Sequence, residues 1–184
     1  MFKKIILTLL IAVLVISGIL ILVSNNMSGT EPEKPVEPDP VQPVVETKEY
    51  DAVLYFTDEG ANNLVKSKTT VSVEKEEDKY LAVIEKLIEG PAGGDLYPSI
   101  SAFTKANSVV VKDGICTVDF TDSFLLNNEG GTLRETMCLY SVVNTLCEFE
   151  EIKKVTFTVN GKKIETFGHL DMTEPYVKNV KLVK

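Results

Sequence analysis

His169, Asp171 and Glu174 are the one place where a histidine stands among carboxylates, in the order H-x-D-x-x-E. Imidazole and carboxylate together can hold a metal ion or move protons near neutral pH. A zinc site needs at least three ligands and usually more than one His or Cys. Asp171 is equally suited to cap the turn before Thr173-Glu174-Pro175, with His169 hydrogen-bonding locally. Asp119 and Asp122 flank Phe120 and could be imagined as paired carboxylates. Their position suits the end of a strand and the start of the loop Thr121 to Gly131, where Asp bonds its own backbone.

Other constellations fall short of a mechanism. Cys116, Cys138 and Cys147 are too few, and odd in number, for a disulfide framework. Cys116 alternates with Val118 and Phe120 as a small buried residue would. Cys138 and Cys147 lie nine apart on one expected helix, hence on opposite faces, and core packing is expected of all three. Gly90, Gly93 and Gly94 follow a helix instead of opening one, so no phosphate cradle forms. Neither G-x-S-x-G nor H-E-x-x-H occurs, and the single His has no Ser or Cys nucleophile near it in sequence. No catalytic, cofactor-binding or metal-ligating residue is assigned, and the expectation is a protein that is not an enzyme and needs no cofactor.

The elements that would position these residues are legible from periodicity. Val53-Leu54-Tyr55-Phe56 reads as a strand closed by Thr57-Asp58-Glu59-Gly60, and Leu64 to Val73 as a second. Asp78 to Glu89 carries Tyr80, Leu81, Ile84, Leu87 and Ile88 as one helical stripe. Gly90 is expected at the left-handed position after it, with Pro91 blocking continuation. Asn107 to Lys112 and Ile115 to Phe120 form a hairpin across Asp113-Gly114, the dipeptide that a type I′ turn favours. A second helix starts near Thr132, whose spacing to Glu135 suggests a capping box, and buries Leu139, Val142, Val143, Leu146 and Phe149. Val155 to Val159 and Lys162 to Phe167 form a further hairpin across Asn160-Gly161, and a short strand is expected around Val180 to Val183.

The order strand, strand, helix, strand, strand, helix, strand, strand implies α+β: a mostly antiparallel sheet with two helices packed on one face. No repeat at fixed spacing is visible in this domain, expected over residues 50–184.

Ahead of it, Ile5 to Val23 is an uncharged run broken only by Thr8, Ser17 and Gly18. As one helix it spans roughly the 30 Å hydrocarbon core of a bilayer. Lys3 and Lys4 precede it, while the next cation is Lys34 among acids, so the N-terminus is expected in the cytoplasm and the remainder outside. The run exceeds the usual h-region of a cleaved signal, and no small-x-small site follows it. Residues 1–23 are therefore expected to be a cytoplasmic stub and uncleaved signal anchor. Residues 24–49, with Pro32, Pro35, Pro38, Pro40 and Pro43 among acids, form an extended linker.

The formal charge is −8, and from Tyr50 onward 15 Lys and Arg stand against 21 Asp and Glu. Such a domain lacks the cationic footprint that nucleic acid or an anionic lipid surface would need.

Five stretches carry a family resemblance: LYFTDEG (Leu54–Gly60), LIEGP (Leu87–Pro91), DGICTVDFTDSF (Asp113–Phe124), VVNTLCEFEEIKKVTFTVNGKKIETF (Val142–Phe167) and GHLDMTEP (Gly168–Pro175). In this order, from Leu54 to Pro175, the chain resembles the GerMN domain of sporulation, spore germination and envelope proteins of Gram-positive bacteria. The resemblance implies a fold related to the ring-building motifs of spore-forming bacteria, an extracytoplasmic location, protein–protein assembly and no established catalytic residues. The chain departs from the pattern in carrying one copy where some members carry two, and in having no lipobox cysteine ahead of Cys116. It also has Ala102-Phe103-Thr104 where members often have a Pro-Gly-Thr turn.

The expected protein is a single-pass, membrane-anchored structural or interaction protein of the bacterial envelope, with a role in sporulation or spore germination. Its expected partners are other envelope or sporulation proteins, further copies of itself, and the membrane through its N-terminal helix. The alternative is a module that captures a small ligand or cell-wall fragment in a pocket around His169.

Overall fold

Residues 46–127 and 130–184 are described by the computed structural model. The expected anchor and linker lie outside the described residues, apart from the last four linker positions. Among the described residues no helix is long and apolar enough to cross a membrane.

Strand β1 (Lys48–Thr57) pairs antiparallel with β2 (Leu64–Val73), from Lys48 opposite Val73 to Thr57 opposite Leu64. The hairpin closes on Asp58, whose carboxylate accepts bonds from the backbone of Asn62 and Asn63 and from the Asn63 amide. The C-terminal half of β1 is buried on both faces. Leu54 and Phe56 point into the main core, whereas Tyr55 packs with Leu64 and Met137 in a second cluster.

Helix α1 (Lys79–Glu89) follows one 3-10 turn at Glu76–Asp78 and buries Val83, Ile84, Leu87 and Ile88. Tyr80 and Leu81, expected on the same stripe, are only half-buried at its edge. Gly90 does end the helix with φ of 90°, but its ψ of 180° is extended and not left-handed helical. That backbone is reserved for glycine all the same.

Strands β3 (Ala106–Lys112) and β4 (Ile115–Phe120) form the expected hairpin, with Asp113 and Gly114 at φ of 52° and 79°. Both central residues at positive φ define the type I′ turn. Where a loop from Thr121 to Gly131 was expected, Ser123–Leu126 forms a single helical turn, α2. Its reason is Phe124, which stacks between Phe120 and Phe167 with ring centroids 4.5 Å from each. Two expected helices thus become three among the described residues.

Helix α3 (Thr132–Leu146) leads to β5 (Lys154–Val159), and β5 pairs with β4 in parallel, Ile115 opposite Lys154. The pair β4–β5 with α3 as its crossover is a βαβ unit, which needs a helix-length connection. Helix α3 also ends at Leu146, so Cys147 caps it and Phe149 lies beyond it, set edge-on to Tyr80 at 5.1 Å.

Of the second expected hairpin only β6 (Lys162–Lys163) pairs with β5. Thr166–Phe167 (β7) instead pairs with Leu170–Asp171 (β8). Burying Phe167 against Phe124 takes the chain away from β5. At the end, Val180–Leu182 is a 3-10 turn in place of the expected strand, and Val183 bridges to Leu64. Among the described residues the sheets are therefore β1-β2, β3-β4-β5-β6 and β7-β8, antiparallel except at β4–β5.

Candidate functional site

Helix α3 carries Glu135 on the same face as Leu139, Val142 and Leu146, and all four are buried. The expected capping box is absent: Gly131 occupies the N-cap and no side chain caps the helix. The Glu135 carboxylate turns instead to His169, accepting from its backbone N at 2.8 Å and facing its Nδ1 at 3.1 Å. The His169 backbone N–H holds the Glu135 carboxyl below its ordinary value, with burial opposing and the imidazole adding to the effect. An ionised carboxylate only accepts, so Nδ1 carries the proton and donates. Gly168, at φ of 58°, lies so close that a Cβ there would overlap this carboxylate.

The structure separates His169 from its expected companions. Asp171 accepts from Thr173 N at 2.9 Å and Thr173 Oγ1 at 2.6 Å, the turn cap that its sequence position allowed. Those two bonds keep its carboxyl below the ordinary range. Glu174 is exposed on the following turn. His169 bonds across 34 positions, not locally. Among the described residues no group of three His, Cys, Asp or Glu side chains could hold a metal.

Asp119 does not bond its own backbone. Its Oδ1 accepts from Thr158 Oγ1 at 2.6 Å and Gly161 N at 2.8 Å, and its Oδ2 from the Asn107 amide at 2.8 Å. One carboxylate thus ties β4 to β3, β5 and the Asn160-Gly161 turn, and these bonds outweigh burial to keep its carboxyl low. Asp122 is the N-cap of α2 and makes no side-chain cap bond.

Two further acids, in the turns that follow α3, anchor tyrosines. Glu148 accepts from the Tyr55 hydroxyl and pairs with Lys178 at 2.9 Å and Lys66 at 3.2 Å. Burial would raise the Glu148 carboxyl, but these donors win and hold it at about 2. Glu151 likewise takes the Tyr80 hydroxyl and Lys79 at 3.3 Å. Burial pushes the thiols of Cys116 and Cys138 up to about 12, far from a reactive thiolate. Cys147, half-buried, is raised for the same first reason.

Neither of two hollows among the described residues is lined by His169. A hollow of about 430 Å³ lies between Asp58, Tyr97, Ser99, Phe124, Arg134 and Met137, and His169 is not among its lining residues. A second groove, of about 540 Å³, runs between Asn107–Val111 on β3 and Glu77, Asp78, Tyr80 and Leu81 at the start of α1.

The sequence reading missed Glu135 as the partner of His169. The available signal was an acid on the apolar stripe at i−4 from Leu139 and i−7 from Val142, where a solvent-facing cap would not lie.

Solved structures share this α+β architecture. The tandem GerMN domains of the sporulation protein GerM from Bacillus subtilis are 24% identical, with a TM-score of 0.55 over 80% of this chain and 51% of that one. The first GerMN domain of the same protein is 22% identical, with a TM-score of 0.54 over 72% of this chain and 98% of its own. A candidate lipoprotein from Clostridium perfringens is 24% identical, with a TM-score of 0.51 over 74% and 93% of the two chains. The chain thus has a fold of the GerMN type and spans about half of the tandem protein.

The family described as "Germane: Sporulation and spore germination" matches residues 53–165, and the chain belongs to that family. No curated protein matches it.

Proposed function

We propose that this protein is a membrane-anchored, extracytoplasmic structural or interaction component of the bacterial cell envelope that works in sporulation or spore germination. The observation that carries the interaction role is what the acids and the histidine do. Glu135 with His169, Asp119 and Glu148 each hold separate elements of the fold together, and Asp171 caps its own turn. General acid or base work needs a group that can reach a substrate proton, and these carboxylates are already engaged in holding the fold. A domain arranged in this way acts through its surface and not by turnover.

The family match supports the setting in sporulation or germination. The uncharged run Ile5 to Val23, flanked by Lys3 and Lys4, supports a single-pass anchor with the domain outside. Similarity to a candidate lipoprotein is in keeping with an envelope protein held at a membrane. Cross-linking in the native cell through sporulation, followed by identification of the joined proteins, tests the reading. Envelope or sporulation proteins among the products support it; purification of the chain alone at every stage, with normal spore formation after its deletion, contradicts it.

A further inference from the structure

The hollow of about 430 Å³ is lined by a rigidly held aromatic ring and two acids. Tyr97 is 47% exposed, yet its backbone is pinned to the end of β1. Thr57 N donates to Tyr97 O at 3.0 Å, Tyr97 N to Thr57 O at 2.9 Å, and the Thr57 hydroxyl to Tyr97 O at 3.0 Å. The next two residues after Thr57, Asp58 and Glu59, are the acids of the lining. One bridge thus sets an exposed ring beside two carboxylates. The same lining includes Ile100, Phe124 and Met137, all buried and apolar.

The charge available to a ligand here is negative. Asp58 accepts from Asn62 N, Asn63 N and the Asn63 amide, and that amide leads in keeping its carboxyl below the ordinary range. Glu59 is exposed and has no ion-pair partner among the described residues. Arg134 also lines the hollow but is itself engaged, so it does not cancel the acids. In the same wall, Ser99 Oγ is the one buried side-chain polar atom without a partner among the described residues. A buried polar atom left in that state costs stability, which a donor from a ligand would recover.

We propose that this hollow binds an alkylammonium group: a primary amine on an apolar stem, carried by a free small molecule or by a lysine side chain of a peptide. The assignment goes beyond the interaction role and does not rest on it. An ammonium brings three N–H donors and no acceptor, and the lining answers with two carboxylates and the Ser99 hydroxyl. A cation near the Tyr97 ring is further attracted by the negative face of the aromatic system. Ile100, Phe124 and Met137 receive the stem, whose removal from water adds to binding. A carboxylate ligand would instead meet like charge at Asp58 and Glu59. The volume also falls within the range of about 300–1,000 Å³ usual for small-ligand sites.

The test uses the full chain in detergent, with calorimetric titrations corrected for detergent alone. The probes are phenethylamine and Nα-acetyl-lysine amide; phenethyl alcohol keeps the apolar stem without the cation. Saturable binding of at least one amine is expected, several-fold tighter than any binding of the alcohol and accompanied by a rise in melting temperature. The tighter amine names the source, a free molecule or a lysine side chain. Glu59→Gln, a change at an exposed residue, should weaken amine binding several-fold, and Tyr97→Leu should weaken it as well. Glu85→Gln, at an exposed position of α1 outside the hollow, should leave it unchanged. Saturation by neither amine at millimolar concentration, equal binding of the alcohol, or unaltered affinity in Glu59→Gln overturns the assignment.

Discussion

Glu135 and His169 join the middle of the domain to its C-terminal segment. The carboxylate, 2% exposed, receives the backbone N of His169 at 2.8 Å and its Nδ1 at 3.1 Å, while the imidazole itself is 71% exposed. The contact places Gly168 against the acid and fixes where β8 and the Asp171 turn begin. A histidine that looks poised for chemistry is thereby a latch between α3 and the segment that follows β7.

Acid should release this latch and the one at Glu148. Both carboxyls sit below their unfolded values, so their contribution is complete above those values and is lost as pH falls through the folded ones. For Glu148 the window runs from its ordinary 4.5 down to about 2. The melting temperature is expected to fall across that window, and to fall less steeply in Glu148→Gln and Glu135→Gln. A flat profile in the unaltered protein would show that neither acid is held as described.

Gly168→Ala should be costly for two reasons at once. Its φ of 58° is strained for any side chain, and the new Cβ would overlap the Glu135 carboxylate. Backbone strain alone is worth roughly 1–3 kcal/mol. Urea unfolding should show at least that loss; a variant as stable as the parent would mean that Glu135 lies elsewhere.

Gly161→Val tests the turn between β5 and β6. Asn160 and Gly161 stand at φ of 50° and 75°, and Gly161 N donates to Asp119. A β-branched residue there should destabilise the domain by roughly 1 kcal/mol or more. An unchanged melting temperature would remove the turn from the account.

The anchor is tested by mass. Protein extracted from membranes is expected to retain Ile5 to Val23, because the run is long enough to span and lacks a cleavage site. A mature form shortened by the first twenty-odd residues would make it a cleaved signal.

Local chemistry was readable in this sequence, and distant pairing was not. The bounds of β2 and the turns Asp113-Gly114 and Asn160-Gly161 follow from alternation and from residues tolerant of positive φ, all within a few positions. The parallel pairing of β4 with β5 depends on how a 15-residue helix lays its chain back onto the sheet, which no local signal encodes. Phe167 leaves the β5 hairpin because Phe124 offers it a stacking partner 43 positions away. His169 and Asp171 were visible as candidates, but the roles that the structure gives them depend on Glu135 and Thr173. Only the second of these lies close enough in sequence to be read.

The claim that this domain works by contact and not by chemistry has a direct measurement. The variant carrying His169→Gln, Asp171→Asn and Glu174→Gln keeps hydrogen-bonding side chains at all three sites while removing their acid–base capacity. Placed in the native cell, it is expected to retain the parent's cross-linked partners and to support normal spore formation and germination. A folded variant that keeps those cross-links yet loses function would show that these groups do chemistry, and would contradict the account.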